Sequence, residues 1–240
     1  MRMSAVALEL PRHPVFEPRL APRPQPGPEP EDPRFRELMS AQQWASLPFA
    51  IRRRFSKHLA GGQATVYAGE ILDSWMSRAG WCLVQLARLI GGPLPLTRDV
   101  GPLPGARNGV ARVPSVVTVT AGMGGQVWTR LYARRTGFPQ VVHSSKRFAG
   151  PTGLEEYVGC GVGMALKVYA REGALIFRSE NYFIQLFGRR FVLPAWLTPG
   201  TLYVTHAEVP DGKFSFTLQI IHPRLGLLVR QMAMFREVAP

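Results

Sequence analysis

Residues 202–221 read Leu202-Tyr203-Val204-Thr205-His206-Ala207-Glu208-Val209-Pro210-Asp211-Gly212-Lys213-Phe214-Ser215-Phe216-Thr217-Leu218-Gln219-Ile220-Ile221. Two runs with a strand's two-residue period, 202–208 and 214–221, flank the turn signal Pro210-Asp211-Gly212. Strands joined by so short a turn pair antiparallel, because parallel neighbours need a long crossover. The same period begins at Ser115 and predicts further strands over 115–121, 126–134, 140–148, 154–159, 164–170, 174–179, 182–187 and 226–235. Met123-Gly124-Gly125, Gly150-Pro151-Thr152-Gly153, Arg171-Glu172-Gly173 and Pro223-Arg224 separate several of them. Many short antiparallel strands hide their edges best as a barrel or a strongly curled sheet. Phe191–Pro199, with Pro194 and Pro199, reads as an irregular loop.

Upstream the pattern is helical. Pro33 opens a helix carrying Phe35, Leu38, Met39 and Trp44, and Pro48 restarts a second through Ile51, Phe55 and Leu59, stopped by Gly61-Gly62. A short strand is expected over Ala64–Tyr67. The spacing of Leu72, Trp75, Met76, Ala79, Leu83, Leu86, Ala87 and Ile90 predicts a long helix over 72–90 whose apolar stripe is a core face. Gly91-Gly92-Pro93 ends it, and a Pro/Gly-rich connector fills 91–114. The fold class is therefore α+β: a predominantly antiparallel β domain over 113–238, with an N-terminal helical part over 34–112 packed on it as one globular unit. Residues 1–33, with Pro-Arg-Pro-Gln-Pro-Gly-Pro-Glu-Pro at 22–30, read as a disordered tail.

The chain has 240 residues and a formal charge of +13. Residues 1–33 hold four Arg and five acids, so the rest carries 25 basic against 11 acidic groups, a balance of +14. Such a surface favours anionic partners, among them acidic lipid headgroups and carboxylated or phosphorylated small molecules. Cys82 and Cys160 have no metal-ligand spacing and read as two buried thiols in a reducing cytosol. No signal peptide and no apolar run of membrane-spanning length is seen, so a soluble, cytoplasmic protein is expected.

Five residues stand out as candidate ligand contacts. Alternation puts Trp128, Arg130 and Tyr132 on one face of a strand, and an inward Arg130 needs an anionic partner. Glu155 and Glu156 point to opposite faces, so either one supplies it. Leu202, Val204, His206 and Glu208 share a face that ends in two ionisable groups, which read as exposed near the turn; Glu208 remains a pocket candidate. His222 stands before Pro223 as a turn residue or a donor lining one barrel mouth.

Gly159-Cys160-Gly161-Val162-Gly163-Met164 imitates a dinucleotide loop. Its third glycine is replaced by Met164, and a strand follows where a phosphate site needs a helix. Arg52-Arg53-Arg54 with Lys57, Arg134-Arg135, Lys146-Arg147 and Arg189-Arg190 match no nucleic-acid-binding motif, so nucleic acid is not an expected partner. No metal site or cofactor is expected.

An ordered series of short pieces resembles the bacterial domain-of-unknown-function family 4166. They are Trp128-Thr129-Arg130, Ser145, Leu154-Glu155-Glu156, Leu193-Pro194 with Leu197-Thr198-Pro199, Glu208 with Asp211-Gly212-Lys213-Phe214-Ser215-Phe216, and His222-Pro223-Arg224-Leu225-Gly226-Leu227-Leu228-Val229. Gly91-Gly92-Pro93-Leu94-Pro95 extends the likeness, which spans roughly 34–236. Where the family carries a strand such as Tyr-x-Gly-x-Leu, this chain has Gln231-Met232-Ala233-Met234-Phe235. The resemblance implies a stand-alone domain or a reductase-like partner, and no activity. The resulting expectation is a barrel-like pocket for a small anionic or lipid-like molecule, lined by Trp128, Arg130, Glu156, Glu208 and His222. The alternative is an acid–base isomerase, cyclase or hydrolase using Glu156 or Glu208 with His222. Contact with an anionic membrane surface through the basic N-terminal helices is a third expectation.

Overall fold

The computed structural model describes residues 31–59, 62–92, 94, 112–122, 124–134 and 137–238. Helices α1 (Arg34–Glu37), α2 (Ala41–Ala45) and α3 (Phe49–Phe55) come first. Strand β1 (Ala64–Met76) and helix α4 (Arg78–Ala87) follow, and a 3-10 turn, Arg88–Ile90, extends α4. The strands β2 (Val113–Gly122), β3 (Gly125–Tyr132), β4 (Gln140–Arg147), β5 (Glu155–Gly159), β6 (Val162–Arg171), β7 (Ala174–Leu186), β8 (Arg189–Val192), β9 (Thr201–Val209), β10 (Lys213–His222) and β11 (Gly226–Glu237) complete the chain.

All pairings between strands are antiparallel. The order β6-β5-β4-β3-β2-β1-β11-β10-β9-β7 closes through β6–β7 into a ten-stranded barrel. β8 stands outside that ring. β7 pairs with β9 through Leu175–Arg178, and its far end, Phe183–Leu186, pairs with β8. The β7–β8 hairpin thus projects from the barrel wall like a tongue. Four tight turns pair a residue at positive φ with a glycine: Cys160-Gly161, Glu172-Gly173, Phe187-Gly188 and Asp211-Gly212. Gly159–Gly163 is accordingly a hairpin, in line with the rejection of a phosphate loop.

Alternation sends Tyr67 and Ile71 of β1, Val117 and Val119 of β2, Phe177 of β7, Phe214 and Phe216 of β10 and Phe235 of β11 into one buried cluster. The interior is therefore aromatic. Helices α1 and α3 stand at the mouth where β2 ends and β3 begins. Phe35 meets Phe148 and Phe177 edge-on, and Phe55 meets Phe177 and His206. Asp32 is tied down by its N–H to the Ser56 carbonyl at 2.7 Å and by Arg34 at 2.7 Å. Residues 31–33 thus belong to the folded part, and 1–30 of the expected tail lie outside the described residues.

Four expectations are corrected. The helix expected over 72–90 starts only at Arg78; Leu72–Met76 is the end of β1, which runs on past its pairing with β2 because Asp73–Met76 stay paired to β11. Segments 174–179 and 182–187 are one strand, β7, bent by an extra residue opposite Ala165-Leu166. The loop expected from Phe191 begins with the end of β8 and contains a 3-10 turn, Ala195–Leu197. Both cysteines are exposed rather than buried, Cys82 on the outward face of α4 and Cys160 at a hairpin tip. The connector expected over 91–114 lies mostly outside the described residues. Among the described residues no helix is long and apolar enough to cross a membrane.

Candidate functional site

Inside the barrel, strand alternation imposes an unusual set of polar groups on the aromatic lining. β3 points Trp128, Arg130 and Tyr132 inward, and β4 points Val142, Ser144 and Lys146 inward. Glu156 of β5 lies opposite Lys146 in the register, so the pair is set by strand geometry. Lys146 Nζ is 3.1 Å from Glu156 Oε1, and Arg130 Nη2 is 3.5 Å from the same oxygen. Arg130 Nη2 also donates to Ser144 Oγ at 3.2 Å. The ammonium of Lys146 sits 4.8 Å from the centre of the Trp128 ring, whose Nε1 donates to Gln126 Oε1 at 3.1 Å. Glu155 takes the opposite face: it pairs with Arg190 and accepts from the Tyr157 hydroxyl at 3.2 Å.

These partners decide the charge states. Burial alone raises the Glu156 carboxyl, but Lys146, Arg130 and hydrogen bonds from Ser144 and Lys146 outweigh it and hold it at about 2. Burial pushes the Lys146 ammonium down, with Glu156 opposing and Arg130 reinforcing. The cluster is thus an ionised carboxylate held by two cations.

A third cation arrives from α3. Arg54 lies three residues after the buried Ile51 and beside the buried Phe55, so the helix turns it into the mouth. Its guanidinium lies 3.5 Å from the centre of the Phe214 ring. Burial pushes its pKa down, partly offset by Tyr67, Glu237 and Glu208. Between Arg54 and Arg130 lies a cavity whose lining includes Tyr67, Tyr132, His206 and Gln231. Its free space is about 10 Å3, enough for the centre of one water molecule. Among the described residues Arg54 Nη1, His206 Nδ1 and Gln231 Nε2 are buried without a hydrogen-bond partner. Unpaired buried polar atoms are uncommon, and these three belong to residues that line one cavity.

His206 is only 2 % exposed, which corrects the exposed reading of that strand's polar end. It rests among Phe55, Phe177, Phe214 and Phe216. Burial, then Arg54, Lys146 and Arg130, push its pKa well below the usual value, so the imidazole is neutral.

Of the five candidate contacts, Trp128, Arg130 and Glu156 meet in the interior. Glu208 is exposed at the rim, opposite Phe214 and close enough to Arg54 to act on its charge. His222 sits at the other end of β10, about 26 Å along the strand from Phe214 by its rise per residue. Its Nδ1 accepts from the Arg224 and Leu225 N–H groups at 3.2 Å, so it shapes a turn. Lys146, Arg54 and Gln231 complete the cluster without having been singled out, and His206, expected to be exposed, joins them. Lys146 shares the two-residue face of Val142, and Arg54 shares the helical face of Ile51; those periods were the available signals.

The fold and its contents define a closed antiparallel β-barrel with a nearly filled interior and an excess of buried cations. The chain belongs to the family described as "Domain of unknown function (DUF4166)", whose model matches residues 47–235. No curated protein matches it.

Proposed function

We propose that the barrel binds a small anionic ligand, whose charged group enters at the α3 mouth between Arg54 and Arg130. The observation that carries this reading is the imbalance of buried charge. Arg130 and Lys146 share one interior carboxylate, Glu156, Arg54 makes no ion pair among the described residues and is offset only at longer range by Glu237 and Glu208, and unpaired polar atoms of Arg54, His206 and Gln231 belong to the cavity lining. An anion there offsets the cost of burying cations and pairs the open donors. The aromatic walls suit an apolar body behind the charged group. The free space fits a water-sized group, so a longer ligand enters as Arg54 swings out of the mouth. Glu208 at the rim then holds Arg54 in its displaced position.

Binding is favoured over acid–base catalysis for a physical reason. A proton shuttle works best with a pKa near the working pH, and Glu156 is held far below it by two cations. His222 is too distant to serve as its partner.

The test is native mass spectrometry of the purified chain, followed by titration with short carboxylates of increasing chain length. A co-purified anion, or a thermal shift that grows with carboxylate concentration and is at least tenfold weaker in Arg54→Gln, supports the reading. Equal shifts in Arg54→Gln and the parent chain, or no shift with any carboxylate and no bound mass, ends it.

A further inference from the structure

The barrel end opposite α1–α3 carries a different surface. Helix α4 and its 3-10 extension run from Leu228 of β11, against whose carbonyl Gly80 packs, to Gly159, which abuts the Ile90 carbonyl. They bury Gly80, Val84 and Ala87 and turn Leu86 and Leu89 outward. The β7–β8 tongue leaves the same end, with Gly161 of the β5–β6 turn seated on the Gln185 carbonyl. Past β8, Gly200 touches the Ile221 carbonyl, which joins the 3-10 turn Ala195–Leu197 to the β10–β11 turn.

Large apolar side chains crown these elements. Phe187 is fully exposed at the tongue's tip, Leu89 is 80 % and Trp196 78 % exposed, and Leu86, Leu197 and Leu225 are more than half exposed. Phe187 also holds a φ of +50°, a conformation uncommon for an aromatic residue. A monomer facing only water has little use for so many exposed large apolar side chains on the elements of one end.

Charge identifies the occupant. Residues 74–92, 184–201 and 219–229, which build this end, contain no Asp or Glu. They contribute Arg78, Arg88, Arg189 and Arg224, all exposed, and Arg190, which pairs with Glu155. Exposed aromatics and leucines ringed by arginines, the flanking acids Glu155 and Asp73 being taken up by Arg190 and Arg230, match the headgroup region of an anionic bilayer: apolar groups enter the acyl boundary and guanidinium groups meet phosphates. We propose that this end docks on an anionic phospholipid surface, with Phe187, Trp196 and Leu89 inserting. The surface is separate from the interior cavity and from the basic α3 run.

The test is sedimentation of the full chain with two vesicle types: phosphatidylcholine alone, and phosphatidylcholine with about one-third phosphatidylglycerol. Binding to the acidic vesicles alone, weakening as salt rises, is expected. Phe187→Ala with Trp196→Ala, and separately Arg189→Glu with Arg224→Glu, will each weaken it at least tenfold while keeping the melting transition. Arg52→Glu with Arg53→Glu will leave it unchanged. Three results overturn the proposal: no acidic-vesicle binding, binding that the α3 pair abolishes and the end-face pairs do not, or a solution dimer that the end-face substitutions dissolve.

Discussion

Lys146 and Glu156 are almost inaccessible to water, so each depends on the other for its charge. Replacing Lys146 by Met leaves Glu156 with Arg130, at 3.5 Å, as its remaining cation beside the Ser144 hydroxyl. Breaking one side of a buried pair costs about 3–5 kcal/mol, and that is the expected loss in denaturant unfolding of Lys146→Met. Glu156→Gln in the same chain will recover part of it, because the stranded charge is then gone; no recovery would mean that the carboxylate was never ionised. Acid acts on the same groups. Glu156 is held at about 2 against an ordinary 4.5, so its ionised form contributes about 3 kcal/mol above pH 4.5, lost as pH falls from 4.5 to 2. His206 is depressed below its ordinary 6.5, so the unfolded chain binds its proton first and stability also falls as pH drops below 6.5. Unfolding midpoints at pH 7.5, 5.5 and 3.5 will therefore decline in two stages, and His206→Leu will remove the first. A flat profile between pH 7.5 and 5.5 in the parent chain contradicts a buried neutral imidazole. The inward face of Arg130 was half legible: alternation grouped it with Trp128 and Tyr132, and only closure of the sheet decided which side was interior.

β1 explains why one element was misread. Tyr67 and Ile71 point inward, then the extra residue at Leu72 shifts the phase so that Ser74 and Met76 point inward. A strand with such a bulge presents apolar residues at spacings that pass for a helical stripe, and Leu72, Trp75 and Met76 merged with the true helix behind them. The boundary signal was Ser77, whose hydroxyl accepts from the Gly80 N–H at 3.0 Å as an N-cap. Hairpins with Glu172-Gly173 and Asp211-Gly212 were legible because their turn chemistry is local. Gly80 makes a sharper claim about α4. A β-carbon there collides with the Leu228 carbonyl, which already accepts the Ser77 N–H at 2.9 Å and so is held in place. Gly80→Ala will force the helix off β11 and destabilise the chain by about 1–3 kcal/mol, despite alanine's better helix propensity. A thermal midpoint raised by Gly80→Ala would show that α4 is not seated on that strand.

At the scale of the whole molecule, the helices before β1 belong to the barrel's own core. Phe35 and Ile51 are wholly buried and Phe55 nearly so, and they meet Phe177 and His206 from the barrel wall. Burying a side chain of this size stabilises by about 1.5–3 kcal/mol, so the three together supply roughly 5–9 kcal/mol. A domain's entire net stability is only about 5–15 kcal/mol. The N-terminal part also supplies a wall strand of the barrel: β1 closes the ring between β2 and β11, and α3 fills its mouth. A chain beginning at Gly62 will therefore expose Phe177 and His206, lose its cooperative melt and bind a hydrophobic dye, whereas one beginning at Glu31 will keep the transition. Differential scanning calorimetry of the two chains separates the cases. A sharp transition near the full-length temperature in the shorter chain would show that the strands hold together without their plug, and that Arg54 can leave the mouth without opening the barrel.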